Sequence, residues 1–118
     1  MTYKLQWKIL VEVRHYVVSS GKDVFDSWLT QLADSRAQAK IATRIDRLAA
    51  GNFGDCKPLR KGVYELRIDW GPGYRVYYAL LGRDRVLLLC GGDKRKQPSD
   101  IERAIRYLRD YKERSLIE

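Results

Sequence analysis

Arg67, Arg75 and Tyr77 recur at alternate positions on two segments, residues 64–70 and 74–80, that a Gly71-Pro72-Gly73 turn joins. Along a strand, successive side chains point to opposite faces. Tyr64, Leu66, Ile68 and Trp70 therefore share one face, and Glu65, Arg67 and Asp69 share the other. In the second segment Tyr74, Val76, Tyr78 and Leu80 lie opposite Arg75 and Tyr77. A face holding Arg67, Arg75 and Tyr77 side by side can cradle a phosphate chain, because the planar guanidinium fork pairs two phosphate oxygens. Glu65 and Asp69 stand beside Arg67, so the same pattern also fits a surface ion-pair ladder, which contributes little to stability.

More cations gather in two loops. Residues 51–62 carry Lys57, Arg60 and Lys61 close together, and residues 91–98 carry Asp93, Lys94, Arg95 and Lys96. The formal charge of +8 favours a polyanionic partner: nucleic acid, an anionic membrane surface or an acidic protein. No apolar run is long enough to span a bilayer, and residues 1–8 lack an apolar signal core. Cys56 and Cys90 show no metal spacing and read as reduced thiols of a cytoplasmic protein. One histidine, His15, cannot build a zinc site, so no metal and no cofactor is expected. Gly91-Gly92-Asp93 reads as a turn rather than a phosphate loop, and there is no Ser/His/Asp set.

The elements that must position these residues are legible from periodicity. Residues 3–18 alternate, with Leu5, Trp7, Ile9, Val11 and Val13 against charged neighbours, which predicts a strand. Asp23 caps a helix carrying Phe25, Trp28, Leu29 and Leu32. Ser35 with Gln38 makes a capping box for a second helix with Ile41, Ile45 and Leu48 on one face, ending at Gly51. So short a link makes the two helices an antiparallel hairpin. Residues 51–62 read as loop, followed by strands over about 63–70, 74–81 and 85–91 with tight turns. Ser99 with Glu102 caps a last helix with Ile101, Ile105 and Leu108 on its apolar face, and the tail over 113–118 frays. The expectation is one α+β domain over residues 1–118, in the order β-α-α-β-β-β-α. It is a two-layer fold: a curved antiparallel sheet with a helical hairpin on one face, the face of Arg67 and Arg75 being open.

Several of these stretches follow one family's pattern in order. They are residues 52–59 (Asn52-Phe53-Gly54-Asp55-Cys56-Lys57-Pro58-Leu59), 64–68 (Tyr64-Glu65-Leu66-Arg67-Ile68), 71–78 (Gly71-Pro72-Gly73-Tyr74-Arg75-Val76-Tyr77-Tyr78), 87–94 (Leu87 to Lys94) and 100–104 (Asp100-Ile101-Glu102-Arg103-Ala104). Over about residues 24–110 the chain resembles the RelE/ParE toxin superfamily, in its phage-derived Gp49-like, HigB-type branch of addiction module killer proteins. The resemblance implies a RelE-like fold and the toxin of a type II toxin–antitoxin module. HigB and RelE relatives cleave mRNA on the translating ribosome without a metal and inhibit translation. A cognate antitoxin, often a helix-turn-helix protein, neutralises them. The resemblance thus implies ribosome, mRNA and antitoxin as partners.

Residue by residue, Arg75 matches the arginine of the Gly-Tyr-Arg strand that contacts the phosphate in RelE-like nucleases. Arg67 falls where those enzymes keep a basic residue on the preceding strand, Lys94 near the basic residue after the fourth strand, and Asp93 near an acidic position of HigB-like proteins. Glu65 departs from the pattern by standing where RelE has a lysine, and the late catalytic tyrosine of RelE has no clear counterpart. Cleavage of RNA without a metal requires deprotonation of a 2′-hydroxyl, stabilisation of the phosphorane and protonation of the leaving 5′-oxygen. The arginines suit the second task. Lys94 suits the third, because the like-charged neighbours Arg95 and Lys96 favour release of its proton. Asp93 or Glu65 suits the first, as base or as a group orienting one. Lys57, Arg60, Lys61, Arg95 and Lys96 form the expected RNA-backbone surface, with Tyr77 stacking on a base. The alternatives within the resemblance are a ParE-like gyrase inhibitor and a non-catalytic relative that only binds its antitoxin.

Overall fold

The fold is described from a computed structural model over residues 10–116. Of the strand predicted over 3–18, Leu5, Trp7 and Ile9 lie outside the described residues; the described part forms β1, Glu12–His15. Val11, just before β1, is buried in the core on one face of the sheet, as the alternation requires, whereas Tyr16, just after it, falls on the opposite face and is buried in the core there.

Asp23 caps α1 (Val24–Thr30), its side chain accepting from the Asp26 amide at 3.0 Å. The cap of α2 (Ser35–Ala49) is Asp34 rather than Ser35; its carboxylate accepts from the amides of Arg36 and Ala37. A carboxylate one residue earlier is the better acceptor for the positive end of a helix. Gln38 donates instead to the carbonyls of Leu29, Thr30 and Leu32, tying the start of α2 to the end of α1. Past α2 the chain reverses through Gly51 at φ +88°, a conformation that favours glycine.

Four further strands follow: β2 (Cys56–Pro58), β3 (Tyr64–Ile68), β4 (Tyr74–Leu80) and β5 (Arg85–Asp93). The sheet order is β1-β5-β4-β3-β2, antiparallel throughout except that β1 lies parallel to β5. The sheet is therefore mixed, not purely antiparallel. β2 occupies part of what reads as a loop; three residues with a proline carry no alternation, and Pro58 is tolerated because β2 is an edge. β5 is the spine of the sheet, and Val86 to Gly92 are all buried. A 3₁₀ turn, Lys94–Lys96, leads into α3 (Gln97–Ser115). Ser99 lies inside the first turn of α3, so the predicted capping box is not the helix start; Pro98 sits there instead. The helix continues past Tyr111 to Ser115, held by Tyr16 Oη donating to Asp110 at 2.5 Å and by Arg114 donating to the Val17 carbonyl at 2.6 Å.

Two cores result, one on each side of the sheet. Ile41 and Leu48 of α2 and Phe25 of α1 pack on Leu66, Ile68, Val76, Tyr78 and Leu88. Ala104, Ile105 and Leu108 of α3 pack on Val63, Tyr77, Ala79, Leu87 and Leu89. The second face is thus covered by α3 over β4 and β5, where the sequence reading left it open. A register shift between Tyr77 and Tyr78 against β5 marks a bulge, after which Gly91 faces Trp28 and Gly92 faces Asp100. These glycines belong to the strand rather than to a turn: a methyl on Gly91 would be driven into the Trp28 ring, and one on Gly92 into the Asp100 carboxylate. No helix is long and apolar enough to cross a membrane among the described residues.

Gly91→Ala is expected to lower stability by about 1–3 kcal/mol through overpacking, read as a shifted urea midpoint at unchanged slope. An unchanged midpoint would show that Trp28 yields freely.

Candidate functional site

At the end of the sheet where β3 turns into β4, Arg67 and Arg75 are direct cross-strand partners. Like charges placed directly opposite destabilise a sheet unless each is compensated. Each has its own acid. Arg67 donates from Nε and Nη2 to Asp55 Oδ1 at 3.1 and 2.7 Å, across to the residue before β2. Arg75 Nε lies 2.7 Å from Oε1 of Glu65, a carboxylate with 0 % exposure. The Arg75 N–H is not aimed at that oxygen, so the contact is an ion pair without a formed hydrogen bond. The acids are not those of a strand-surface ladder: Asp69 pairs with neither arginine, and Glu65 serves Arg75 rather than Arg67.

Lys94 joins them because its amide donates to the Gly73 carbonyl at 2.9 Å, which docks the end of β5 on the β3–β4 turn. Gly73, at φ +84°, forms the floor between the two side chains: a methyl there would lie 3.6 Å from Arg75 Nη1 and 3.5 Å from Lys94 Cδ. Arg67, Arg75, Lys94, Asp55, Asp69, Ile68 and Gly73 line one cleft of about 280 Å³. Three cations converge in a space that fits a phosphodiester, with the Arg75 fork only 16 % exposed and Arg67 40 % exposed. Partial burial strengthens a charge contact that water would otherwise screen.

The remaining residues read from the sequence are dispersed. Asp93 does not line the cleft; its two oxygens accept from the Arg95 amide, Nε and Nη2, and it caps the 3₁₀ turn. The Arg95 guanidinium, hydrogen-bonded to it, holds the Asp93 carboxyl below the usual range. Lys57 lies on β2 with its ammonium 3.9 Å from Glu65 Oε2. Arg60 pairs with Glu102 on α3. Lys61, in a left-handed conformation at φ 57°, sits by Ile105, Leu108, Arg109 and Lys112, away from the arginines. Lys96 is exposed at the start of α3. The stacking role expected of Tyr77 is overturned: the ring is buried under α3 with 0 % exposure, so no base can reach it.

Three contributors carry no local signal in the sequence. Arg44, on the polar side of α2, donates to the carbonyls of Arg67, Phe53 and Asp55 at 2.6, 3.2 and 3.3 Å. It thereby fixes the loop that delivers Asp55, and Gly54 passes so close that a methyl there would lie 3.0 Å from Arg44 Nη2. Asp55 is itself far from Arg67 in sequence, and Gln97 reaches Glu65 from α3 at 2.5 Å. Among the described residues no three His, Cys, Asp or Glu side chains gather as a metal-ligand set.

The Gp49-family model, described as "Phage derived protein Gp49-like (DUF891)", matches residues 27–109. That family lies broadly within the RelE-like toxins. A Haemophilus influenzae relative, named "Uncharacterized protein", is 56% identical over 80 residues, which is 68% of this chain and 81% of that relative.

The depressed Asp93 sets a pH dependence. A carboxyl whose folded value lies below its unfolded one contributes stability that is complete above the ordinary carboxylate range and is lost as pH falls through the folded value. Asp93→Asn is therefore expected to flatten part of the acid limb of melting temperature against pH. Parallel limbs for variant and wild type would remove Asp93 from the account.

Proposed function

The chain belongs to the phage-derived Gp49-like family, and from that footing we propose that it is the toxin of a type II toxin–antitoxin module, of the HigB kind. In this reading it is an endoribonuclease that cuts mRNA on the translating ribosome without a metal. The observation that carries the reading is the convergence of Arg67, Arg75 and Lys94, from three different stretches of chain, on one cleft. A surface that served only to dock a protein has no need of three cations around a phosphate-sized space.

In the proposed reaction the scissile phosphate lies between the two guanidinium groups. The 2′-hydroxyl attacks phosphorus, and its proton passes to a carboxylate, the proposed acceptor being Asp69, which lines the cleft. Arg75 and Arg67 stabilise the added charge on the phosphorane oxygens. Lys94 gives a proton to the departing 5′-oxygen, leaving a 2′,3′-cyclic phosphate and a 5′-hydroxyl. Glu65, wholly buried, meets no substrate. Lys57, Arg95 and Lys96 extend the positive surface for mRNA or ribosomal RNA, with contacts that weaken steeply with salt and carry no sequence information. A helix-turn-helix antitoxin is the proposed neutralising partner.

Induced expression is expected to stop incorporation of labelled methionine before labelled thymidine. Arg75→Ala should reduce the effect on the order of 10²-fold, the loss typical of one oxyanion donor. Arrest of thymidine incorporation first, with a DNA-damage response, would replace the nuclease by the gyrase reading. Normal growth would favour the non-catalytic relative.

A further inference from the structure

The buried Glu65 carboxylate has a partner outside the sheet. Gln97 Nε2, in the first turn of α3, donates to Glu65 Oε1 at 2.5 Å, the same oxygen that lies 2.7 Å from Arg75 Nε. Among the described residues this is the only hydrogen bond made to that carboxylate, and its Oε2 has none. A carboxylate withdrawn from water is tolerated only where charge and hydrogen bonding compensate it. Its orientation is therefore set by Gln97, while its charge is met by Arg75 at Oε1 and, at 3.9 Å from Oε2, by Lys57. The pairing at Nε holds Arg75 at the root of its fork and leaves Nη1 over Gly73, beside the Lys94 side chain. The order Gln97, Glu65, Arg75 runs from α3 along the sheet face it covers to the cleft.

We propose that Gln97 and Glu65 are positioning residues: Gln97 fixes the Glu65 carboxylate, and Glu65 aims the Arg75 fork at the phosphate. The assignment rests on the phosphodiester-cleaving reading of the cleft. It makes the seating of the first turn of α3 a condition for a working clamp, although Gln97 itself does not line the cleft.

Gln97→Met keeps the side-chain length and removes the donor. Single-turnover cleavage of ribosome-bound mRNA is expected to slow about tenfold, as misorientation of a catalytic group does, with half-saturation by ribosomes unchanged. In the free protein the ¹⁵Nε–H resonance of Arg75, assigned by its loss in Arg75→Lys, should move in Gln97→Met. Its response to added inorganic phosphate should weaken. A wild-type rate together with an unmoved Arg75 resonance would overturn the proposal, as would a rate loss that tracks a lowered melting temperature while the resonance stays in place. If wild-type protein leaves all mRNA intact, the nuclease reading fails, and the Arg75 resonance alone decides the positioning: displaced in Gln97→Met it stands, unmoved it falls.

Discussion

A carboxylate with no access to water, Glu65, is the constraint around which the rest of this structure is arranged. Two arginines face each other across β3 and β4, and their repulsion must be met on both sides. Glu65 meets it from inside the protein and Asp55 from the rim. The buried side is the costly one: breaking a buried pair such as Glu65 and Arg75 by removing one partner typically costs about 3–5 kcal/mol, whereas the exposed pair of Arg67 and Asp55 contributes little. The acids therefore determine where the guanidinium groups can rest.

Each acid is held by a separate part of the chain. Arg44 reaches from α2 to the carbonyls around Asp55, so the helix on one face shapes the rim of the cleft. Gln97 reaches from α3 to Glu65, so the helix on the opposite face shapes its floor. The glycines of β5 make this possible. Gly91 admits Trp28 from one side and Gly92 admits Asp100 from the other, so both layers close on the strand just before Lys94 emerges. Tight packing at the end of β5 and the placement of a cleft cation are one structural event.

Much of this was legible in the sequence where the signal is local. Alternation placed Leu66, Ile68, Val76 and Tyr78 together, and the apolar run at Val86 to Cys90 marked the buried strand. The convergence of Arg67, Arg75 and Lys94 followed from the strand–turn–strand pattern and the resemblance together. What was hidden depends on long-range contacts. The face of Tyr77 was assigned correctly, yet periodicity cannot say what covers a face, and α3 covers this one. Asp34 competed with Ser35 for the cap of α2 and won because its carboxylate reaches two amides. β2 is too short to alternate, and Arg44 and Gln97 look like ordinary polar helix residues until the sheet brings them to Asp55 and Glu65.

The central claim is that this cleft cuts RNA held on a ribosome. Primer extension on a reporter mRNA in a cell-free translation system, run with and without ribosomes for wild type and for Lys94→Ala, tests it most directly. The account predicts discrete cuts in the wild-type reaction that need ribosomes and fade in the variant. Intact mRNA under ongoing translation, or cuts of equal strength from Lys94→Ala, would contradict it.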